Sequence, residues 1–136
     1  MSYGMSQALQ MAVFSRLTGD VTLTGLVGEA IFDAVPAGDV PSLYVALGPE
    51  KVRDASDATG QGAVHEFTVS IVTNRAGFSA AKAAAGAVSD ALGTAPLALA
   101  RGRVVAMRFY KAAAARVGTG NTRRIDLIFR ARLSDD

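Results

Sequence analysis

The sequence predicts an α+β fold: a single mixed, mostly antiparallel β-sheet with two main helices packed chiefly on one face. Three observations carry that expectation. Apolar residues recur every four positions near the N-terminus, and residues 64–73 alternate with a period of two. An alanine-rich segment of high helical propensity then separates that alternating run from two extended segments joined by a glycine turn. At 136 residues the chain is expected to form one domain, 1–136, that buries roughly two-thirds of its unfolded surface without disulfides or a structural metal.

Met5, Leu9, Val13 and Leu17, widened by Ala12 and Phe14, draw the stripe of an amphipathic helix with Ser6 as its N-cap and Gly19-Asp20 as its end. A second short helix is expected from Thr22 to Val27, where Leu23, Leu26 and Val27 share a face and Gly28 stops the turn. Residues 30–35 precede Pro36 and read as a short extended segment suited to a sheet edge. Residues 41–47 are β-rich and bounded by Gly48-Pro49. From about 48 to 63 the chain is polar and glycine-rich, which points to a long mobile loop or a protruding hairpin arm. His65, Phe67, Val69, Ile71 and Thr73 then share one face of a strand, opposite Glu66, Thr68, Ser70 and Val72.

Residues 74–77 turn the chain, and Ser79 caps a helix over 80–92 that Gly93 and Pro96 terminate. Its apolar face, Ala81, Ala84, Val88 and Leu92, is thin, so the helix must lie close against a sheet or a neighbouring copy. A short strand is expected at 97–99. A longer one follows from 103 to roughly 117, with Val105, Met107 and Phe109 on one side and Val104, Ala106, Arg108 and Tyr110 on the other. Gly118-Thr119-Gly120-Asn121 turns into a final strand, 123–133, with Ile125, Leu127, Phe129, Ala131 and Leu133 inward.

Cysteine is absent, which excludes thiolate zinc sites, iron–sulfur clusters, cysteine nucleophiles and redox dithiols. No window approaches about 18 consecutive apolar residues and no basic stretch precedes an apolar one at the N-terminus, so the expectation is a soluble chain made in the cytoplasm. The formal charge of +2 hides an asymmetry. Residues 1–100 carry five basic groups against nine acidic ones, whereas 101–132 carry nine basic groups against Asp126 alone. Such a split suits either a nucleic-acid footprint or a head-to-tail contact between an acidic surface and a basic one.

Catalytic and binding motifs are sparse. His65, the sole imidazole, reads as a structural or interface residue, because neither metal ligands nor a Gly-x-Ser-x-Gly elbow accompany it. Gly60-x-Gly62 and Gly118-x-Gly120 fit hairpin turns better than phosphate cradles, since neither sits between a strand and a helix N-terminus. Asp54 and Asp57 lie in a polar loop beside Arg53, where a solvated or intersubunit salt bridge is the simpler role. Arg124, Arg130 and Arg132 line the outer face of the last strand with little aromatic interleaving, which suits a solvated face or an oligomer contact more than a nucleic-acid platform. The candidate interface residues are therefore Arg101, Arg103, Arg108, Arg124, Arg130 and Arg132 on the basic side, with Glu50, Asp54 and Asp57 on the acidic side. No catalytic, cofactor-binding or metal residue is assigned.

The order of these segments resembles the tail-terminator, or tail-completion, family of long-tailed bacteriophages, prophages and gene-transfer agents. The stretches that carry it are 8–17 (ALQMAVFSRL), 31–38 (IFDAVPAG), 41–48 (PSLYVALG) and 65–71 (HEFTVSI), then the alanine-rich helix after Asn74-Arg75-Ala76-Gly77 and the basic terminal hairpin. The resemblance implies a non-enzymatic structural protein, typically six copies in a ring, that caps the head-proximal end of the tail tube and docks tail to head. Its implied partners are further copies of itself, the tube protein and a head–tail connector or stopper protein. DNA would meet it only in passage through the ring lumen, and no membrane or cofactor is implied. Such a protein is made in the bacterial cytoplasm and resides at the head–tail junction of the virion. A small basic nucleic-acid-binding module and a neighbouring connector subunit are the alternatives.

Overall fold

A computed structural model describes residues 3–58 and 60–136. The elements run α1 (Ser6–Thr18), α2 (Val21–Val27), β1 (Ile31–Phe32), β2 (Leu43–Asp54), β3 (Gly62–Thr73), α3 (Ser79–Gly93), β4 (Arg103–Arg116) and β5 (Arg123–Ser134). The five strands form one sheet in the order β1-β2-β3-β5-β4. Only β1 and β2 run parallel; every other neighbouring pair is antiparallel. The expected α+β class, with one mixed sheet, is the observed one.

Helix α1 buries Ala8, Leu9, Val13 and Leu17, as its periodicity requires. Ser6 does not cap it: Met5 is the N-cap, with no side-chain cap hydrogen bond among the described residues, and the Ser6 hydroxyl donates instead to Glu50. Arg16 ties α1 to the end of α3 by donating to the Ala91 and Ala95 carbonyls at 3.0 Å each and to that of Pro96 at 3.2 Å. These are acceptors at and just beyond a helix C-terminus, where the dipole favours a cation. The short helix α2 has the cap that α1 lacks, since Asp20 accepts from the Leu23 amide at 2.9 Å. It ends where Gly28 turns to φ +62°, a conformation that side-chain-bearing residues avoid. Of its expected apolar stripe, Leu23 is buried, Val27 half-buried and Leu26 exposed.

The extended segment 30–35 contracts to the two-residue edge strand β1, with Ile31 opposite Val45. The polar stretch after Gly48 is a hairpin arm and not a loop. Beyond a register shift between Leu47 and Glu50, β2 continues to Asp54, and Lys51 to Asp54 pair with Glu66 to Ala63. A bulge excuses its residues from regular ladder bonding, which is how Pro49 sits inside a strand without breaking it. The turn closes on itself through a bridge between Asp57 and Gly60. Thr59, counted in the polar stretch, lies outside the described residues.

On β3 the face predicted from alternation is the buried one, from His65 to Thr73. Together with Ile125, Leu127, Phe129, Ala131 and Leu133 of β5, it meets α3, whose Ala81, Ala84 and Val88 are fully buried. The small side chains let the helix axis approach the sheet. Ser79 opens α3 without capping it, the N-cap being Phe78. Phe67, Phe129 and Phe109 stand opposite one another across β3, β5 and β4. Their centroids are 5.5 Å apart for the stacked inner pair and 5.9 Å for the edge-on outer one, a cross-strand arrangement contributing about 0.5–1.5 kcal/mol per pair beyond burial.

Two expectations fail around β4. Residues 97–99 form no strand, although Leu97 is buried. Simple alternation in β4 is also broken, because the register shifts between Val104 and Ala106 and again between Phe109 and Lys111. Val104 and Met107 consequently pack against the core while Val105 is 48% exposed. Gly102 brings the chain into β4 at φ +74°, so close that a Cβ there would lie 2.5 Å from the Met5 Sδ and 2.7 Å from the Ser134 carbonyl oxygen.

Candidate assembly interface

The helices cover one face of the sheet and leave the other to the charged residues. Strand periodicity puts them in rows across the outer face. Lys51, Glu66, Arg130 and Arg108 lie opposite one another on β2, β3, β5 and β4, and Arg53, Val64, Arg132 and Ala106 form the adjoining row. Arg130 is the hub. Its Nε donates to Glu66 Oε1 at 3.1 Å, and its guanidinium carbon stands 3.5 Å from the Tyr110 ring centroid. The same ring faces Arg108 at 5.4 Å and Lys111 at 5.6 Å. One tyrosine thus collects three cations, an attraction of roughly 0.5–1 kcal/mol each at an exposed site. Arg132 donates to the Ala55 carbonyl at 3.2 Å.

Farther along the face, Arg124 Nε donates to Asp126 Oδ1 at 2.8 Å, and the buried Ser70 hydroxyl donates to the same oxygen at 2.6 Å. At the other end Arg101 grips Asp135 through Nε and Nη2 at 3.1 and 2.7 Å, and Arg103 holds Asp136 at 2.9 Å. The Asp135 contact raises the Arg101 pKa further, and Arg103 holds the Asp136 carboxyl below its usual range. On the hairpin arm, Asp54 is held below its ordinary value by the Ser56 hydroxyl at 2.7 Å, and Asp57 accepts from the Gly60 amide at 3.0 Å.

Glu50 stands apart from the other candidate interface residues. The bulge turns it to the helix-covered side, where Tyr3, Ser6 and His65 converge on its carboxylate, with Tyr3 donating at 2.6 Å and His65 Nδ1 at 3.5 Å. Burial alone would push its carboxyl up, but the three hydrogen bonds outweigh that and hold it below its ordinary value. His65 is fully buried, and its Nε2 has no partner among the described residues.

Four of the nine basic residues of the run have a carboxylate within the chain, Arg101, Arg103, Arg124 and Arg130, and Arg116, Arg123 and Arg132 donate to backbone carbonyls. What the run leaves for an outside partner is a compact cation–aromatic patch, Arg108-Tyr110-Lys111, on the edge strand. That geometry suits recognition of a carboxylate-bearing protein surface. Among the described residues, no three of His, Cys, Asp and Glu gather as a metal set. Sequence reasoning found the arginines but missed Lys111 and the partner role of Glu66, because register, not composition, pairs them.

A two-layer α+β subunit whose distinctive chemistry lies in surface charge fits a structural, assembly-forming class of protein. The chain matches the family described as Tail completion protein gp17 over residues 11–134 and belongs to it. It is also similar to a chain in the virion of a native gene transfer agent particle, with 56% identity and a TM-score of 0.92 over 98% of this chain and 99% of that one. No curated protein matches it.

Proposed function

We propose that this protein forms a ring, of six copies, that closes the head-proximal end of a phage-like tail tube and joins the tail to the head. The observation that carries the proposal is the near-complete likeness, at 56% identity, to a chain within an assembled gene transfer agent virion, together with membership of the tail completion family. The partners in this reading are further copies of the chain, the tube protein and a connector or stopper protein, with DNA passing through the lumen. The protein acts without bond-making chemistry. The basic rows around Arg108, Arg130 and Arg132, and the hairpin arm with Asp54 and Asp57, supply contact surface.

Electron microscopy of particles made without this protein tests the proposal. Tubes of irregular length and unjoined heads are the expected result; head-attached tails of normal length would overturn it. Tails of normal length that nonetheless fail to join heads would assign the protein to the connector instead.

A further inference from the structure

The two ends of the sheet differ in a way that the fold itself does not require. At one end β4 presents fourteen residues with one side unpaired. At the other, β1 has two residues, and because β1 and β2 are parallel, residues 33–42 must travel back along the sheet to start β2. All of 33–42 are exposed.

Charge divides the same way. Between Arg16 and Lys51 the chain has no basic residue but carries Asp20, Glu29, Asp33, Asp39 and Glu50. Asp20 and Glu50 are engaged inside the subunit, and Asp33 accepts from Gln10. Glu29 and Asp39 are exposed, with no side-chain partner among the described residues. On β4, Arg108 and Lys111 have no carboxylate partner among them either, and Arg116 has only the Gly120 carbonyl, at 3.2 Å. Exposed large apolar side chains follow suit. Val105, Phe109, Tyr110 and Val117 lie along or just past β4, and Leu26, Val35 and Val40 lie along the chain into and out of β1; three others among the described residues are so exposed.

From these observations we infer that the β4 edge of one copy receives the 33–42 segment of the next copy. The inference rests on the ring reading above and specifies its contact. After its second register shift β4 runs without interruption from Lys111 to Arg116, and the four residues between are alanines, so its backbone is open to close approach. A cation stands at each end of that stretch, and the incoming segment is acidic. The two bulges and Lys111 break up the rest of the edge, which keeps it from pairing with strands at random. A contact between two different patches on identical copies is heterologous, and it closes into a ring when the rotation permits.

Charge exchange tests it. Two exposed double variants, R108E/K111E on β4 and E29K/D39K at the opposite edge, are assembled alone and on tail tubes made without this protein, with mass photometry and electron microscopy as readouts. Each variant by itself is expected to need about tenfold more protein to form rings or cap tubes, with the subunit still folded and its melting temperature lowered by no more than about 10 °C. An equimolar mixture is expected to recover assembly, since copies can then alternate around the ring. Rings formed as well by either variant alone as by the wild type, or a mixture no better than its parts, would overturn the contact. In both cases the ring reading stands if wild-type chains still cap tubes; wild-type chains that assemble neither alone nor on tubes would end that reading.

Discussion

Glu50 shows how one bulge converts a surface charge into a structural one. A regular strand would carry it on with the face pattern set by Val45 and Leu47, whereas the shift after Leu47 turns its carboxylate toward Ser6, Tyr3 and His65. Its folded pKa lies below the ordinary 4.5. A group depressed in this way stabilises the fold fully above its unfolded pKa, and that contribution disappears as pH falls through the folded value. Glu50→Gln should therefore cost about 1–2 kcal/mol at pH 7. The gap between wild type and variant should begin to close as pH drops below about 4.5, where the unfolded carboxyl protonates, and vanish once pH has fallen through the lower folded value. Thermal melts of the two proteins between pH 3 and 7 check this; a gap independent of pH would assign the loss to packing alone.

Helix α3 owes its position to what it lacks. With Ala81 and Ala84 fully buried and Val88 the bulkiest group between them and Leu92, the helix lies close on β3 and β5. Ala84→Leu should push it away and cost about 1–3 kcal/mol, the usual penalty of overpacking. The same change at Ala83, which is exposed, should stay within about 0.5 kcal/mol. Urea titration of both variants distinguishes them. This face was predictable from spacing, as were the buried faces of β3 and β5, because each follows one uninterrupted period. The failures share a cause. At Leu47–Glu50, Val104–Ala106 and Phe109–Lys111 an extra residue resets the alternation, and nothing in local composition announces a bulge that the partner strand imposes. Pro49 even argued for an end to β2. The candidate interface was readable to a similar depth. Its arginines could be counted, and Arg124 beside Asp126 follows from alternation along one strand, but neutralisation by Glu66, Asp135 and Asp136 depends on which strands lie side by side.

Across the molecule, folding and assembly draw on different forces, and salt separates them. The core is a continuous apolar cluster running from Met5 to Leu133, with the surface ion pairs outside it, and exposed pairs contribute only about 0–1 kcal/mol each. The melting temperature should therefore change by no more than a few degrees between low and high sodium chloride. Association is different. If opposite ends of the sheet attract through Arg108, Lys111 and Arg116 on one side and Glu29, Asp33 and Asp39 on the other, the attraction is screened once the Debye length shrinks from about 10 Å at 0.1 M to about 3 Å at 1 M salt. Rings assembled at low salt should dissociate or fail to nucleate at high salt while the subunit remains folded, which sedimentation and circular dichroism on the same samples can record. Sodium sulfate supplies the contrast, since it screens charge but strengthens apolar burial. Rings that survive in sulfate and fall apart in chloride of equal ionic strength would point to Val105, Phe109, Val35 and Val40 as the larger part of the contact, and rings lost in both would point to the charges.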